Sequence, residues 1–286
     1  MAQESTHETE LSGALLRVGA GFLLSEVDPD ATPGVDGGKK DGQKQLADGE
    51  SRFDELQERL YAQSRVDDDT PAVLLVLQAM DTAGKGGIVR HVIGATDPQG
   101  VRLKAFKAPT PEERAHDFLW RIEKELPPAG YIGVFDRSHY EDVLIGRVRE
   151  LASPKEIERR YHAINAFEER VADSGTHIVK VMLHISADEQ KARLTERLDR
   201  PDKHWKYHPG DVDERLLWPQ YMDAYQTVFE RTSTDLAPWH VVPANAKWYA
   251  RLAVQTLLIE AFERIDPQWP AADFDVEAEK KRLAAS

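Results

Sequence analysis

The chain has 286 residues, enough to bury one sizeable core or two small ones. Its 37 basic and 50 acidic residues give a formal charge of −13. That argues against a general nucleic-acid binder and makes any polyanion site a local basic patch in an acidic body. Cysteine is absent, so disulfides and cysteine metal sites are excluded. No run approaches the roughly 18 apolar residues of a membrane span. Met1 to Glu8 is polar and acidic, without the basic and apolar regions of a signal peptide, so a soluble cytoplasmic protein is expected.

Residues 1 to about 10 are expected to be disordered. Residues 11–49 carry an apolar patch (Leu15, Leu16, Val18, Phe22, Leu23, Leu24) followed by turn formers such as Asp28-Pro29-Asp30, Pro33-Gly34 and Gly37-Gly38. This reads as an extended arm packed on the body and ending in a turn-rich linker. Phe53, Leu56 and Leu60 recur at helical spacing, which predicts a surface helix over about 50–65.

After Asp67–Pro71 comes the stretch that carries the chemistry. Val73 to Leu77 is a continuous apolar run, as in a strand buried on both faces. It breaks into Ala79-Met80-Asp81-Thr82-Ala83-Gly84-Lys85-Gly86-Gly87, and Ile88, Val89, Val92 and Ile93 then give a helical apolar face. Strand, glycine loop, lysine and helix form a phosphate-binding pattern: backbone N–H groups turn inward around phosphate oxygens, and Lys85 adds a full charge. The pattern G-x-x-x-x-G-K-[ST] is broken at Ala79 and at Gly86, where the usual hydroxyl is missing. Asp81 is an unusual charge beside phosphates, and it makes sense if it holds a metal that in turn holds phosphate. Taken alone, the loop also reads as a glycine-rich turn with Lys85 in solvent.

Val101 to Phe106 alternates apolar and basic residues, as a half-exposed strand does. Thr110, Pro111 and Glu113 form a helix start with a capping box, and that helix is expected to run to about Leu126, before Pro127-Pro128. Tyr131–Asp136 is a strand, 154–173 a long amphipathic helix, His177–Ile185 a strand and 188 to about 199 a helix. Residues 197–208 are basic, aromatic and non-periodic. Helix returns from Asp211 to about Arg231, Trp239–Val242 is a short strand, and 247–265 a helix. Residues 266–286 are a charged tail. Strands alternating with helices predict an α/β fold, a three-layer α/β/α arrangement with a mostly parallel sheet and its ligands at the carboxyl ends of the strands.

Asp136-Arg137-Ser138 follows an apolar strand, where a phosphate-binding α/β fold places its second metal-organising carboxylate. Arg137 can reach a phosphate bidentately. Two sheet-end loops would then aim Asp81, Lys85, Asp136 and Arg137 at one point. An isolated Asp-Arg-Ser would more simply be a helix cap beside a surface ion pair, but the upstream loop favours the site. Arg197, Arg200, Lys203 and Lys206, between two helices, read equally as a solvated basic loop or as the lid of a nucleotide kinase. Such a lid closes on phosphates and excludes water.

At these residues the sequence resembles the type-2 polyphosphate kinase family, over about residues 15–265. The resemblance rests on Met80–Gly87, Phe106–Thr110, His116–Arg121, Phe135–Leu144, Lys203–Lys206 and Ala237–Trp239. The run Asp136-Arg137-Ser138-His139-Tyr140-Glu141-Asp142-Val143-Leu144 looks like the class III branch. The resemblance implies a P-loop kinase core over 50–265 with a helical lid at about 197–232, an N-terminal arm over 1–49 and a tail over 266–286. It implies Mg²⁺ as cofactor, inorganic polyphosphate lying in a basic channel, and nucleoside mono- and diphosphates as acceptors. Asp81 and Asp136 would hold the metal, with Asp211 near it. Lys85 and Arg137 would stabilise the moving phosphoryl group. Gly84, Gly86, Gly87 and Glu141 would serve the nucleotide. Arg90, Lys107, Arg121 and the lid cations Arg197, Arg200, Lys203 and Lys206 would hold the polyphosphate. A homo-oligomer is also implied, with no nucleic acid or membrane as partner. Direct in-line transfer is expected, with His139 structural rather than a phosphohistidine. The rival readings are an ATP-dependent nucleotide kinase and a nucleotide-binding module that no longer turns over.

Overall fold

The computed structural model describes residues 10–286, so the disorder expected at the start of the chain lies almost wholly outside the described residues. Five strands form one sheet: β1 (Ala72–Ala79), β2 (Val101–Ala105), β3 (Ile132–Asp136), β4 (Thr176–His184) and β5 (Trp239–Pro243), in the order β2-β3-β1-β4-β5. Every neighbouring pair is parallel. The apolar run of β1 is central because both its faces are covered. Val73, Leu75 and Leu77 enter one core cluster and Leu74 and Val76 the other.

The helices supply the two outer layers. On the first face lie α1 (Lys39–Gln63), α2 (Lys85–His91) and, much later, α7 (Lys247–Ile265), with Phe53, Ile88 and Phe262 in one cluster. On the second face lie α3 (Pro154–Asp173) and α6 (Trp218–Thr232), joined by Val18 and Leu24 of the arm. Between these come α4 (Ala187–Asp199) and α5 (Gly210–Arg215), and α8 (Val276–Ala284) ends the chain. Among the described residues no helix is long and apolar enough to cross a membrane.

Four elements differ from expectation. Helix α1 begins at Lys39, so the segment read as the end of a turn-rich linker is helical. Its glycines mislead because they serve close approach, not turning: a Cβ on Gly42 would collide with the Trp248 ring of α7. The helix expected from Thr110 to Leu126 is two single turns, Pro111–Arg114 and Trp120–Glu123. The capping box forms as expected, with Glu113 N donating to Thr110 Oγ1 at 3.2 Å and Thr110 N to Glu113 Oε2 at 2.7 Å. Asp117 then interrupts, its Oδ1 accepting from Leu119 N at 3.1 Å. The helix expected over 211–231 breaks at Leu217, with Pro219 in the first turn of α6. The charged tail contains α8, which buries nothing.

Candidate active site

The carboxyl ends of β1 and β3 sit side by side, Leu77 paired in register with Asp136. Ala79 is still strand, paired with Leu183, so its backbone is extended and alanine there needs no glycine-like freedom. Gly84 ends the loop at φ +123, a conformation that suits glycine alone, and Lys85 opens α2. Lys85 Nζ donates back to Ala79 O at 3.2 Å, closing the loop on itself.

Arg137 is aimed by the backbone. Its N–H donates to Leu77 O at 3.0 Å, and its φ of 64° is left-handed, as is that of Thr82 at 69°. Non-glycine residues held there cost about 1–3 kcal/mol and cluster at functional sites. The guanidinium turns onto Asp81, donating from Nη2 to Oδ1 at 2.9 Å. Burial disfavours its charge, but Glu141, Asp81 and Asp136 outweigh this and raise its pKa. Glu141 supports it from outside the cleft wall. With the Gln78 amide turned to satisfy both neighbours, Gln78 donates to Glu141 at 2.9 Å and accepts from Ser138 N at 3.1 Å. Burial pushes the Glu141 carboxyl up, opposed by Arg137 and Lys85.

These groups line one cleft of about 590 Å³. Asp81, Gly84, Lys85, Gly86, Gly87, Asp136 and Arg137 form its floor, and Arg90, Lys107, Arg197, Arg200, Lys203 and Lys206 its sides. Sequence reasoning missed Arg193, Lys247 and Arg251, which also line it. Lys247 and Arg251 stand four apart at the start of α7, directly after β5, and that position was the available signal. In all, eleven Lys and Arg face three Asp and Glu, so an acidic protein encloses a cationic cleft. Lys85, Arg90, Lys107, Lys206, Lys247 and Arg251 form no ion pair among the described residues, which leaves them for a polyanion. His91 records the crowding: burial, then Arg251 and Arg90, hold its pKa below the ordinary value.

Arg193 has a different task. It is 6% exposed and donates to Thr82 O, Ala83 O, Ala244 O and Asn245 O at 2.8–3.0 Å. It ties the glycine-containing loop to the end of β5 by turning four carbonyls towards itself. Gln190, one turn earlier in α4, donates to Asp81 O at 3.2 Å.

A cationic cleft at the sheet's carboxyl edge, floored by a lysine loop and two aspartates, is the geometry of phosphoryl transfer. Comparison with known proteins agrees. The family profile Polyphosphate kinase 2 (PPK2) matches residues 37–270. The chain belongs to the polyphosphate kinase 2 family. An AMP/ADP-polyphosphate phosphotransferase of Meiothermus ruber is 45% identical over 249 residues, 87% of this chain and 91% of that one. An ADP-polyphosphate phosphotransferase of Rhodopseudomonas palustris is 42% identical over 77% of this chain and 78% of its own. The crystal structure of Polyphosphate Kinase 2 from Arthrobacter aurescens TC1 superposes with a TM-score of 0.94 at 61% identity, covering 98% of this chain and 99% of that one.

Three residues expected in this polyphosphate kinase 2 site do not line the cleft: Arg121, Asp211 and Glu141, which stands behind Arg137. Arg121 does not line the cleft. It is 7% exposed, lies 3.8 Å from Glu113 and 3.5 Å from Asp142, and donates to Lys107 O at 2.8 Å. It is therefore spent on holding the Lys107 loop. Asp211 turns onto its neighbours: its Oδ2 lies 3.5 Å from Arg197 and accepts from His208 N at 3.4 Å. Burial, and then the charge of Asp81, push its carboxyl up, so it is near Asp81 without joining it. Among the described residues no three His, Cys, Asp or Glu side chains gather as a metal group, so Asp211 does not join Asp81 and Asp136 as a third acid.

His139 is 1% exposed and outside the cleft, its Nε2 3.2 Å from Glu168 Oε1. Glu168 also accepts from Lys180 Nζ at 2.6 Å and from Tyr140 Oη at 2.8 Å. This buried cluster backs the turn that carries Arg137.

Proposed function

We propose that the chain transfers a terminal phosphoryl group of inorganic polyphosphate to nucleoside mono- and diphosphates, by direct in-line displacement with Mg²⁺. The observation that carries this reading is the convergence of Asp81, Lys85, Asp136 and Arg137 on the floor of one cation-lined cleft. A phosphate oxygen of the acceptor attacks the terminal phosphorus. The bond to the bridging oxygen breaks, and the shortened chain leaves with that electron pair. No enzyme group need be phosphorylated, and the buried His139 is poorly placed to be one.

Lys85 and the loop amides would orient the phosphates, and Arg137 would neutralise charge on the equatorial oxygens. The Arg137–Asp81 pair pre-sets both groups. The cations of α2, α7 and the lid would hold the rest of the chain, and lid closure would exclude water as a competing acceptor. Asp81 and Asp136 suit Mg²⁺, which favours one or two carboxylates with the remaining positions taken by water and phosphate oxygens. When bound, the ion would supply charge neutralisation between donor and acceptor phosphates.

The test is incubation with AMP or ADP, Mg²⁺ and polyphosphate, with nucleotide products resolved by chromatography. ADP and ATP should form, and ATP supplied without polyphosphate should not replace it as donor to AMP. Absence of polyphosphate-dependent product across varied metals would overturn the proposal.

A further inference from the structure

Consecutive residues of an α-helix project about 100° apart. In α5, at the root of the lid, Glu214 and Arg215 therefore reach in two directions. Arg215 Nη1 donates to Ala187 O and, at 3.1 Å, to Gln190 Oε1. Gln190, 1% exposed, donates to Asp81 O at 3.2 Å. Two side chains thus tether the lid root to the glycine-containing loop. Glu214 turns the other way. Its Oε1 accepts from Arg149 Nε at 3.1 Å and Nη2 at 2.9 Å, and its Oε2 from Tyr221 Oη at 2.5 Å. Arg149 follows the turns His139–Asp142 and Ile145–Val148, which lead on from Asp136-Arg137. Burial, then Glu214 and then Glu141 raise the Tyr221 pKa, so its ring stands between the lid root and the acid behind Arg137.

Apolar packing does not hold this root. Neither the lid turn Pro201–Lys206 nor α5 buries a residue, and Val212 and Leu216 are exposed. Arg197 donates to Lys206 O at 2.8 Å, which ties the turn to the end of α4 rather than to either sheet-end loop. Neither Glu214 nor Arg215 lines the cleft, so neither is placed to touch phosphate. Two adjacent side chains of opposite charge, each spent on a different half of the transfer point, point to a positioning task.

We infer that Glu214 and Arg215 are positioning residues: they fix the lid root to both sheet-end loops, so that the lid closes in register with Asp81 and Arg137 and keeps water from the terminal phosphorus. The inference rests on the phosphotransferase reading above and adds the residues that seat the lid. With the root loose, water replaces the acceptor. Its oxygen bonds to the terminal phosphorus and the bond to the bridging oxygen breaks. The shortened chain leaves with that electron pair, the water's surplus proton passes to solvent, and orthophosphate is released.

The test compares Glu214→Leu, Arg215→Met and Glu214→Gln with the wild-type chain, using ADP, Mg²⁺ and polyphosphate. The first two should lower kcat for ATP at least about tenfold while KM for polyphosphate stays within about threefold, because the loops are misplaced and the cleft cations are untouched. Orthophosphate released per ATP should rise at least about threefold. Glu214→Gln still bonds Arg149 and Tyr221 and should return kcat to within about threefold of wild type. Amide hydrogen exchange, read by mass spectrometry, should quicken over residues 201–216 in the two disruptive variants and stay unchanged in β1 and β4. Thermal melting identifies folded variants, and Glu214→Leu with its Gln rescue carries the test if Arg215→Met does not fold. A folded disruptive variant with wild-type kcat and product ratio overturns the inference. So does one whose kcat falls while the product ratio and lid exchange stay at wild-type values, since that is an ordinary loss of structure. If the wild-type chain forms no ATP at all, the phosphotransferase reading falls instead. Hydrogen exchange then still decides the tethers: quickening confined to 201–216 supports them, and unchanged exchange refutes them.

Discussion

Replacing Arg193 with methionine tests whether the transfer loop is shaped from behind. The substitution keeps most of the stem and removes a guanidinium that donates to four carbonyls and, from Nε, to Glu189 at 2.6 Å. A hydrogen bond to a charged group contributes about 1.5–3 kcal/mol taken singly. Four sharing one group do not add, and the Thr82 and Ala83 carbonyls can rehydrate through the cleft, so the loss should resemble that of one broken buried charge pair, about 3–5 kcal/mol. At about 2 °C or more per kcal/mol for a chain of this size, the melting temperature should drop by roughly 6–10 °C. The effect on chemistry should be larger, because misplacing reacting groups by about 1 Å can cost about 100-fold. The assay is ATP formation from ADP and polyphosphate, followed by luminescence, beside thermal unfolding by circular dichroism. Arg193→Lys should recover only a small part, since an ammonium cannot span both carbonyl pairs. A folded Arg193→Met chain with kcat/KM within threefold of wild type would refute the bracing argument.

Asp136→Asn is nearly isosteric and removes one of two facing acids, so turnover should fall by at least about 100-fold with little change in melting temperature; retained turnover would remove Asp136 from the metal assignment. Polyphosphate binding should weaken steeply between about 0.05 and 0.5 M salt, as the Debye length shrinks from roughly 14 to roughly 4 Å; a flat KM for polyphosphate would argue against a cationic track. His240 is buried, and burial pushes its pKa down to about 4, below the ordinary 6.5. The unfolded chain therefore binds the extra proton first, so this stabilisation is complete above about pH 6.5 and is lost as pH falls towards 4, about 3 kcal/mol in full. His240→Gln should flatten that acid slope in urea unfolding series, and an unchanged slope would contradict the assignment. Lys180→Met leaves Glu168 buried without its cation and should cost about 3–5 kcal/mol, whereas adding Glu168→Leu should restore much of it; a double variant no better than the single would disprove the pairing.

Local pattern carried much of this molecule. The β1 run is apolar on both faces because helices cover both faces, so a central parallel strand was readable from composition alone. The two sheet-end loops were readable because their chemistry needs particular residues at short spacing: Gly84 for its positive φ, Lys85 for its charge, Asp136-Arg137 at a strand end. Helix α3 was legible for the same reason, its periodicity and its Ser153 cap being local.

What escaped the sequence depends on partners far along the chain. Gly42 looks like a turn residue until Trp248 is beside it, and Arg121 looks like a phosphate ligand until Glu113 and Asp142 claim it. Arg193 is invisible as a brace, because the carbonyls it holds belong to residues more than a hundred positions before it and about fifty after it. The sequence by itself determined the alternating α/β order and the residue types of the two sheet-end loops, since these follow from backbone conformation and short spacing. Only the tertiary structure decided which cations face the cleft and which acids remain beside it, because a side chain's charge is free or spent according to what folds against it.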